Sequence, residues 1–232
     1  GLSFGENFRG NLFSAQFNPH RIQRHVLNRR GATFVSEDSD FLVSSDPDFH
    51  PTDVLEAPDG SLLVIDTGGW YIDQCPLSRI SRPDHKGGVY RIRKKGAGEV
   101  KDPLGTFLDY SDLSLNAFTD LLADDRPKVR ARAIESMVKM DETIVPPLAA
   151  LIANSNTDNE AKCRAVWTLH RQGSKQARIE IRKALAHEAR TVRIASARST
   201  GLAKDQAAIQ SVLAGLRSKD RAVSREMATA LG

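Results

Sequence analysis

The stretch SSDPDFHPTD, residues 44–53, gathers Asp46, Asp48, His50 and Asp53 in a short span. Closely spaced carboxylates can hold a divalent cation, and a histidine among them can pass a proton or meet an anion as its charge follows pH. The spacing lacks the glycine and distal glutamate of a helix–loop–helix calcium motif, so turn chemistry is the expected use of these acids and no metal site is assigned. A second polar group, Asn18, His20 and Arg21, follows the run LFSAQF. Trp70 and Tyr71 stand after Gly68-Gly69, where they either wall a ligand site or pack. His20 and His25 are too loosely spaced on a strand to form a metal fork. No Ser-His-Asp arrangement, phosphate loop or zinc spacing is legible. Cys75 and Cys163 do not approach the C-x-x-C-H pattern, so no haem is expected to attach here, and both are expected to be free thiols in either redox compartment.

These residues need elements to position them. Leu62 to Asp66 is apolar at successive positions, as in a strand inside a sheet. Asp59-Gly60 before it reads as a two-residue hairpin turn. Further strands are expected at Asn11 to Phe17, Arg21 to Leu27, Thr52 to Glu56 and Gly88 to Arg93, with turns at Asn18-Pro19, Arg30-Gly31 and Gly68-Gly69. Short strands at this spacing predict an all-β sandwich or propeller. Leu62, Val64, Ile65, Val89 and Ile92 are the expected core. About ninety residues make roughly two four-stranded blades, too few to close a ring. If the fold is a propeller, most of it is therefore expected before Gly1.

Composition changes near residue 100. The first hundred residues hold 10 of the 14 aromatics and 4 alanines, whereas residues 101–232 hold 22 alanines and read as helices. The expected organisation is a β domain at 1–100, a linker at 101–111 and helical repeats at 112–232. VRARAIESM from Val129, AKCRAVWTL from Ala161, VRIASARST from Val192 and VSREMATAL from Val223 align at steps of 32, 31 and 31 residues, the start positions being 129, 161, 192 and 223. Each follows another helix, ending near Leu122, Ile152, Leu185 or Leu216, so the unit is a helix pair. Ala133, Ala165, Ala197 and Ala228 are expected at tight helix contacts. Val129, Ile134, Val166, Leu169, Val192, Ile194, Val223 and Leu231 are expected to fill the layer between. Asp125, Asp158 and Asp220 are placed to cap the second helices. This pattern resembles HEAT repeats, with the Val-Arg pair at Val129-Arg130 and Val192-Arg193, Ala161-Lys162 in the second unit and Ser224 replacing the arginine in the fourth. The array is expected to continue past Gly232.

Charge adds one exclusion. Residues 1–100 carry 12 Lys+Arg and 13 Asp+Glu, leaving 33 − 12 = 21 and 29 − 13 = 16 for the remainder, a net of +5. The bases are interleaved with acids and lack stacking aromatics, which argues against a nucleic-acid surface. No apolar run is long enough for a transmembrane helix.

In the first half, the G-x-L-F strand at Gly10 to Phe13, Pro-x-Asp-Val at Pro51 to Val54, D-G-S-L-x-V-x-D at Asp59 to Asp66 and Gly-x-Tyr-Arg-Ile at Gly88 to Ile92 occur in the order of the closing blades of quinoprotein sugar dehydrogenase-like β-propellers. Followed by HEAT repeats, the chain resembles the large "membrane-bound dehydrogenase" proteins of planctomycete type. The fold class this implies is β and α in separate domains, a partial β-propeller followed by an α-solenoid. The resemblance implies sugar or alcohol oxidation with pyrroloquinoline quinone and calcium, electrons passing to a cytochrome c domain or protein, and a periplasmic or secreted location. His50 stands where those dehydrogenases carry a channel-facing arginine. With Arg21, Asn18 and Asp53 it makes up the implied cofactor-binding set, and Trp70 and Tyr71 the implied substrate wall. The implied catalytic base comes from an early blade, upstream of Gly1, so no catalytic residue is assigned. Two functions follow: a piece of an exported dehydrogenase whose HEAT repeats dock a protein partner, or a non-catalytic propeller–HEAT scaffold.

Overall fold

The computed structural model describes residues 3–69 and 84–232, so Trp70, Tyr71 and Cys75 lie outside the described residues. Strands come first and helices second, without interleaving. The chain divides into two compact units, Gly1–Arg29 with Phe34–Pro103, and Arg30–Thr33 with Leu104–Gly232.

The β unit holds two three-stranded antiparallel sheets. One is β1 (Leu12–Gln16), β2 (Arg21–Arg30) and β3 (Thr33–Val43); the other is β4 (Pro51–Glu56), β5 (Leu62–Gly68) and β6 (Lys86–Ile92). Both are plain meanders in sequence order, and the described residues close no barrel or propeller. β5 is the central strand of its sheet, with alternate residues buried. Ile22, Phe49 and Val64 form the core of this unit, with Phe13, Phe41, Val54 and Ile92 packed around them.

Four expectations need correction here. The sheets have three strands among the described residues, not the four of a full blade. β3 was not expected, because its centre, Ser-Glu-Asp-Ser-Asp, reads as a loop. Asn28, His25 and Arg21 of β2 bond Glu37, Asp38 and Asp40 in turn, so the polar run is satisfied as a strand. The β4–β5 turn is longer than two residues: Glu56 pairs with Leu62, Ala57 N–H donates to the Ser61 carbonyl, and only Gly60 takes positive φ, at 76°. Val89 pairs with Ile65 on the face of the second sheet opposite Val64, and it is 64% exposed. An apolar central strand thus has one covered face and one open one.

The helical unit contains α1 (Leu115–Asp120), α2 (Pro127–Val138), α3 (Val145–Ala153), α4 (Asn159–Gln172), α5 (Lys175–Ala184), α6 (Arg190–Leu202), α7 (Ile209–Gly215) and α8 (Arg221–Thr229). They pack as four pairs, with α2, α4, α6 and α8 in contact along one layer and α1, α3 and α5 along another. The fifth position of the aligned repeat is Ala133, Ala165, Ser196 and Met227, and each is fully buried. Ala197, at the sixth position, is buried as well, but Ala228 at the sixth position of the fourth unit is exposed, because the inward place there belongs to Met227. Leu231 is likewise exposed, lying beyond the end of α8.

Caps follow the expected chemistry with one shift. Asp158 accepts from Ala161 N–H at 2.9 Å and Asp220 from Ala222 N–H at 2.9 Å. Asp125 does not cap α2. Its neighbour Asp124 takes the Arg126 N–H at 2.8 Å and the Arg126 guanidinium, because Pro127 at the first turn has no N–H to offer. Ser114 and Ser174 cap α1 and α5.

The arginine after the repeat valine has a defined job. Arg130 donates to the Asp124 carbonyl at 2.6 Å, and Arg193 to those of His187 and Glu188 at 2.7 Å each. Both tie down the turn between the helices of their own pair. Ser224 does the same in the fourth pair, donating to the Leu216 carbonyl at 2.8 Å. Other bonds cross between pairs. Arg164 donates to the Leu122 carbonyl, His187 Nε2–H donates to that of Ile152, and His170 Nδ1 bonds Ser199 Oγ. Between the third and fourth pairs the polar ties are ionic: Arg182–Asp205 at 3.2 Å, Arg190–Asp220 at 3.4 Å and Arg198–Glu226 at 4.0 Å.

Candidate functional site

His50 sits at the entry to β4, and its contacts follow from the residues around it. Its backbone N–H donates to Asp66 Oδ1 at 2.8 Å, and the same oxygen accepts the Gly68 N–H at 2.8 Å. Asp66 is buried at the end of β5, so this carboxylate stitches the two strand ends together. The ring is fixed from three sides. Nδ1–H donates to the Gly68 carbonyl at 2.8 Å and, more weakly, towards that of Asp48 at 3.1 Å. Phe17 lies 4.4 Å away across one face, and His20 meets it edge-on at 5.0 Å. His20 occupies the left-handed region at φ 54°, which costs a non-glycine residue about 1 kcal/mol or more. Its Nδ1–H donates to the Phe49 carbonyl at 2.7 Å, and its own carbonyl accepts the Ser44 N–H, which helps to hold that conformation.

The other residues of the implied cofactor set are placed differently. Arg21 donates from Nε to Gln16 Oε1 at 2.6 Å and from a terminal nitrogen to Asp40 at 3.0 Å. Asp53 is exposed, and its carboxylate accepts the N–H of the next residue, Val54, at 2.8 Å. Asn18 is exposed in the β1–β2 turn. A quinone with three carboxylates needs several uncommitted cations. Here the arginine is neutralised by Asp40 and the imidazole is pinned by backbone carbonyls. These four residues do not fit that group, and no step is derived through it. Nor do three His, Cys, Asp or Glu side chains come together as a metal-binding group among the described residues. Asp46 and Asp48 do what the turn reading expects, with Asp46 Oδ1 accepting the Asp48 N–H, while Asp48 also pairs with His85 at 2.9 Å.

The first sheet carries an arrangement that linear spacing hid. Ser14 of β1, His25 of β2 and Asp38 of β3 lie side by side across three strands. Ser14 Oγ is 2.8 Å from His25 Nε2, and His25 Nδ1 is 2.8 Å from Asp38 Oδ1. Asp38 also accepts from the Ser36 hydroxyl, and the Ser36 and His25 bonds hold its carboxyl below the usual carboxylate range. The expectation that no Ser-His-Asp arrangement exists is therefore corrected. The error came from the unread β3, since Asp38 reaches His25 only by cross-strand pairing.

Asp59, at the β4–β5 turn, is a strongly perturbed acid among the described residues. Hydrogen bonds from the Ser61 hydroxyl and backbone N–H, joined by Arg93 and Arg91, hold it far below the usual range. Its partners are all structural. Cys163 in α4 is a free thiol, pushed up by burial and so kept protonated.

Set against known proteins, two parts of the chain find a match. Residues 145–232 match the family model of HEAT repeats. Over those residues the helical unit is built of HEAT repeats. Residues 1–96 match a domain of unknown function (DUF7133). No curated protein matches the chain. Among the described residues, no helix is long and apolar enough to cross a membrane.

Proposed function

We propose that this chain is a protein-docking module, in which the HEAT array receives the partner and the β unit is blade material of a larger dehydrogenase-like propeller. The observation that supports the docking role is a set of exposed apolar side chains on α6 and α7. Ile209 and Leu213 of α7 and Leu202 at the end of α6 are 42%, 42% and 63% exposed, whereas Leu148 and Ile152 of α3 are buried. A cavity of about 300 Å³ lies beside them, lined in part by Ile209, Val212, Ala230 and Leu231. Apolar side chains grouped in this way suit an amphipathic helix. The basic balance of residues 101–232 suits a partner with acidic flanks.

The test is titration of the chain with a purified c-type cytochrome domain, read by calorimetry, using wild type and the Ile209→Glu/Leu213→Glu double variant. Binding that falls at least tenfold in the double variant supports the docking reading. Binding that is absent in both, or equal in both, overturns it for this partner class and this surface.

A catalytic reading stays second. It is favoured by two consecutive β-meanders packed on each other, as in neighbouring blades, and by the His20–His50 imidazole pair at a strand entry. On that reading the chain is part of an exported quinoprotein-like dehydrogenase acting on a sugar or alcohol, in the periplasm or outside the cell. Its quinone and calcium ligands are then supplied by residues other than Asn18, Arg21, His50 and Asp53.

A further inference from the structure

The geometry points to a nucleophilic serine: Ser14, activated by His25 and Asp38, hydrolyses small acyl esters on the polar face of the first sheet. Three observations beyond simple proximity carry this.

The first is the tautomer. Asp38 is an acceptor, so the Nδ1 that meets it at 2.8 Å carries the proton. That leaves the Nε2 lone pair to accept the Ser14 hydroxyl proton at 2.8 Å. The imidazole is thus set as a general base toward Oγ, and Asp38 is a positioning residue that also favours the imidazolium formed during attack.

The second is a donor for the oxyanion. Gln23 lies directly opposite Ser14 in the β1–β2 register, on the same face. Its amide orientation follows from a chain of bonds. Arg21 Nε–H donates to Gln16 Oε1, so Gln16 presents Nε2–H to Gln23 Oε1 at 2.7 Å. Gln23 Nε2 is then turned outward with no partner among the described residues. Directly opposed Cβ atoms on an antiparallel pair are about 4.5–5.5 Å apart, within reach of a carbonyl oxygen held over Ser14. A side-chain amide is an established type of oxyanion donor.

The third is access. Leu12, on the same face, is 54% exposed, and the Asp38 side chain is 47% exposed. The site is an open face that offers no pocket to hold a long acyl chain, so the proposal is confined to short esters.

The step balances without a cofactor. Ser14 Oγ attacks the ester carbonyl carbon as its proton moves to His25 Nε2, and the carbonyl π pair moves onto oxygen, facing the Gln23 amide. Collapse expels the alcohol, which takes the proton from Nε2 and leaves an acyl-serine. Water repeats the sequence, releasing the acid and restoring the hydroxyl.

The test uses the whole chain with a fluorophosphonate probe and with p-nitrophenyl acetate. Covalent labelling is expected at Ser14, located by peptide mass, and absent in Ser14→Ala. Ester turnover is expected to fall about a hundredfold in His25→Gln, the usual scale for general-base loss. It is expected to fall at least tenfold in Gln23→Ala, which removes no bond that holds the sheet together other than the one from Gln16. Asp38→Asn is expected to move the pH profile of turnover as well as its level. Melting curves report whether each variant is folded. Labelling at another residue, no labelling, or turnover unchanged in folded Ser14→Ala overturns the proposal and leaves the three residues as a cross-strand polar ladder.

Discussion

Gly201 of α6 lies so close to Ala230 that a Cβ on the glycine would stand 2.8 Å from the Ala230 Cα. The contact is with backbone, which cannot swing aside. Gly201→Ala gains about 1 kcal/mol of helix propensity but forces α6 and the end of α8 apart, at a cost of about 1–3 kcal/mol. Net destabilisation in urea unfolding is the expected result. Gly215→Ala meets only the side chain of Met227, so its cost is expected to be smaller. The reverse order would contradict this packing.

Ser196 holds the small-residue position of the third helix pair, and its hydroxyl is buried without a hydrogen-bond partner among the described residues. Ser196→Ala matches Ala133 and Ala165 at the same repeat position and removes the unpaired group. Stability is expected to rise by roughly 1 kcal/mol. Thermal unfolding at two protein concentrations checks it.

His50 is a structural joint before it is anything else. Removing its ring frees the Gly68 carbonyl and the face of Phe17, so His50→Ala is expected to cost about 1–3 kcal/mol. His50→Arg is expected to cost a similar amount, since a guanidinium does not fill the seat between Phe17 and His20. If arginine is tolerated without loss, the side chain belongs to a channel rather than to the joint.

Asp59 ties stability to acid. Its folded-state value lies well below the ordinary 3.8, chiefly through the Ser61 hydroxyl and N–H and then Arg93 and Arg91. A depressed acid stabilises the fold above its unfolded value, and that contribution is lost as pH falls through the folded value. Asp59→Asn is therefore expected to lower stability by about 1–2 kcal/mol at pH 7. The gap should narrow as pH drops below about 3.8. Melting curves of both proteins between pH 7 and pH 2 measure the narrowing.

The helical array was legible because small and branched residues recur at one spacing in Val129, Ala161, Val192 and Val223, and such spacing survives in a linear string. What the string hid was that the inward fifth position need not be alanine: Met227 fills it in the fourth unit and Ala228 faces outward. β5 was legible from its apolar run, but whether a second layer covers Ile65 and Val89 is a tertiary fact that no local pattern encodes. β3 was missed for a physical reason. Its acids look like loop residues until Arg21, His25 and Asn28 stand opposite them. The Ser14–His25–Asp38 contact was hidden with it. The roles of Arg21 and Asp53 were not legible either, because both depend on which neighbour each side chain reaches first.

The ionic ties between the third and fourth helix pairs give the array an uneven response to salt. Earlier pairs are joined by bonds to backbone carbonyls and by His170–Ser199, which mobile ions screen little. Arg190–Asp220 and Arg198–Glu226 each carry an exposed arginine, and their attraction fades as the screening length drops from about 10 Å at 0.1 M to about 3 Å at 1 M, more than that of the more covered Arg182–Asp205. High salt would thus weaken the seam between α5–α6 and α7–α8 more than the earlier seams, while the apolar contacts of Leu185 and Ala197 with Val212, Val223 and Met227 keep it closed at any ionic strength.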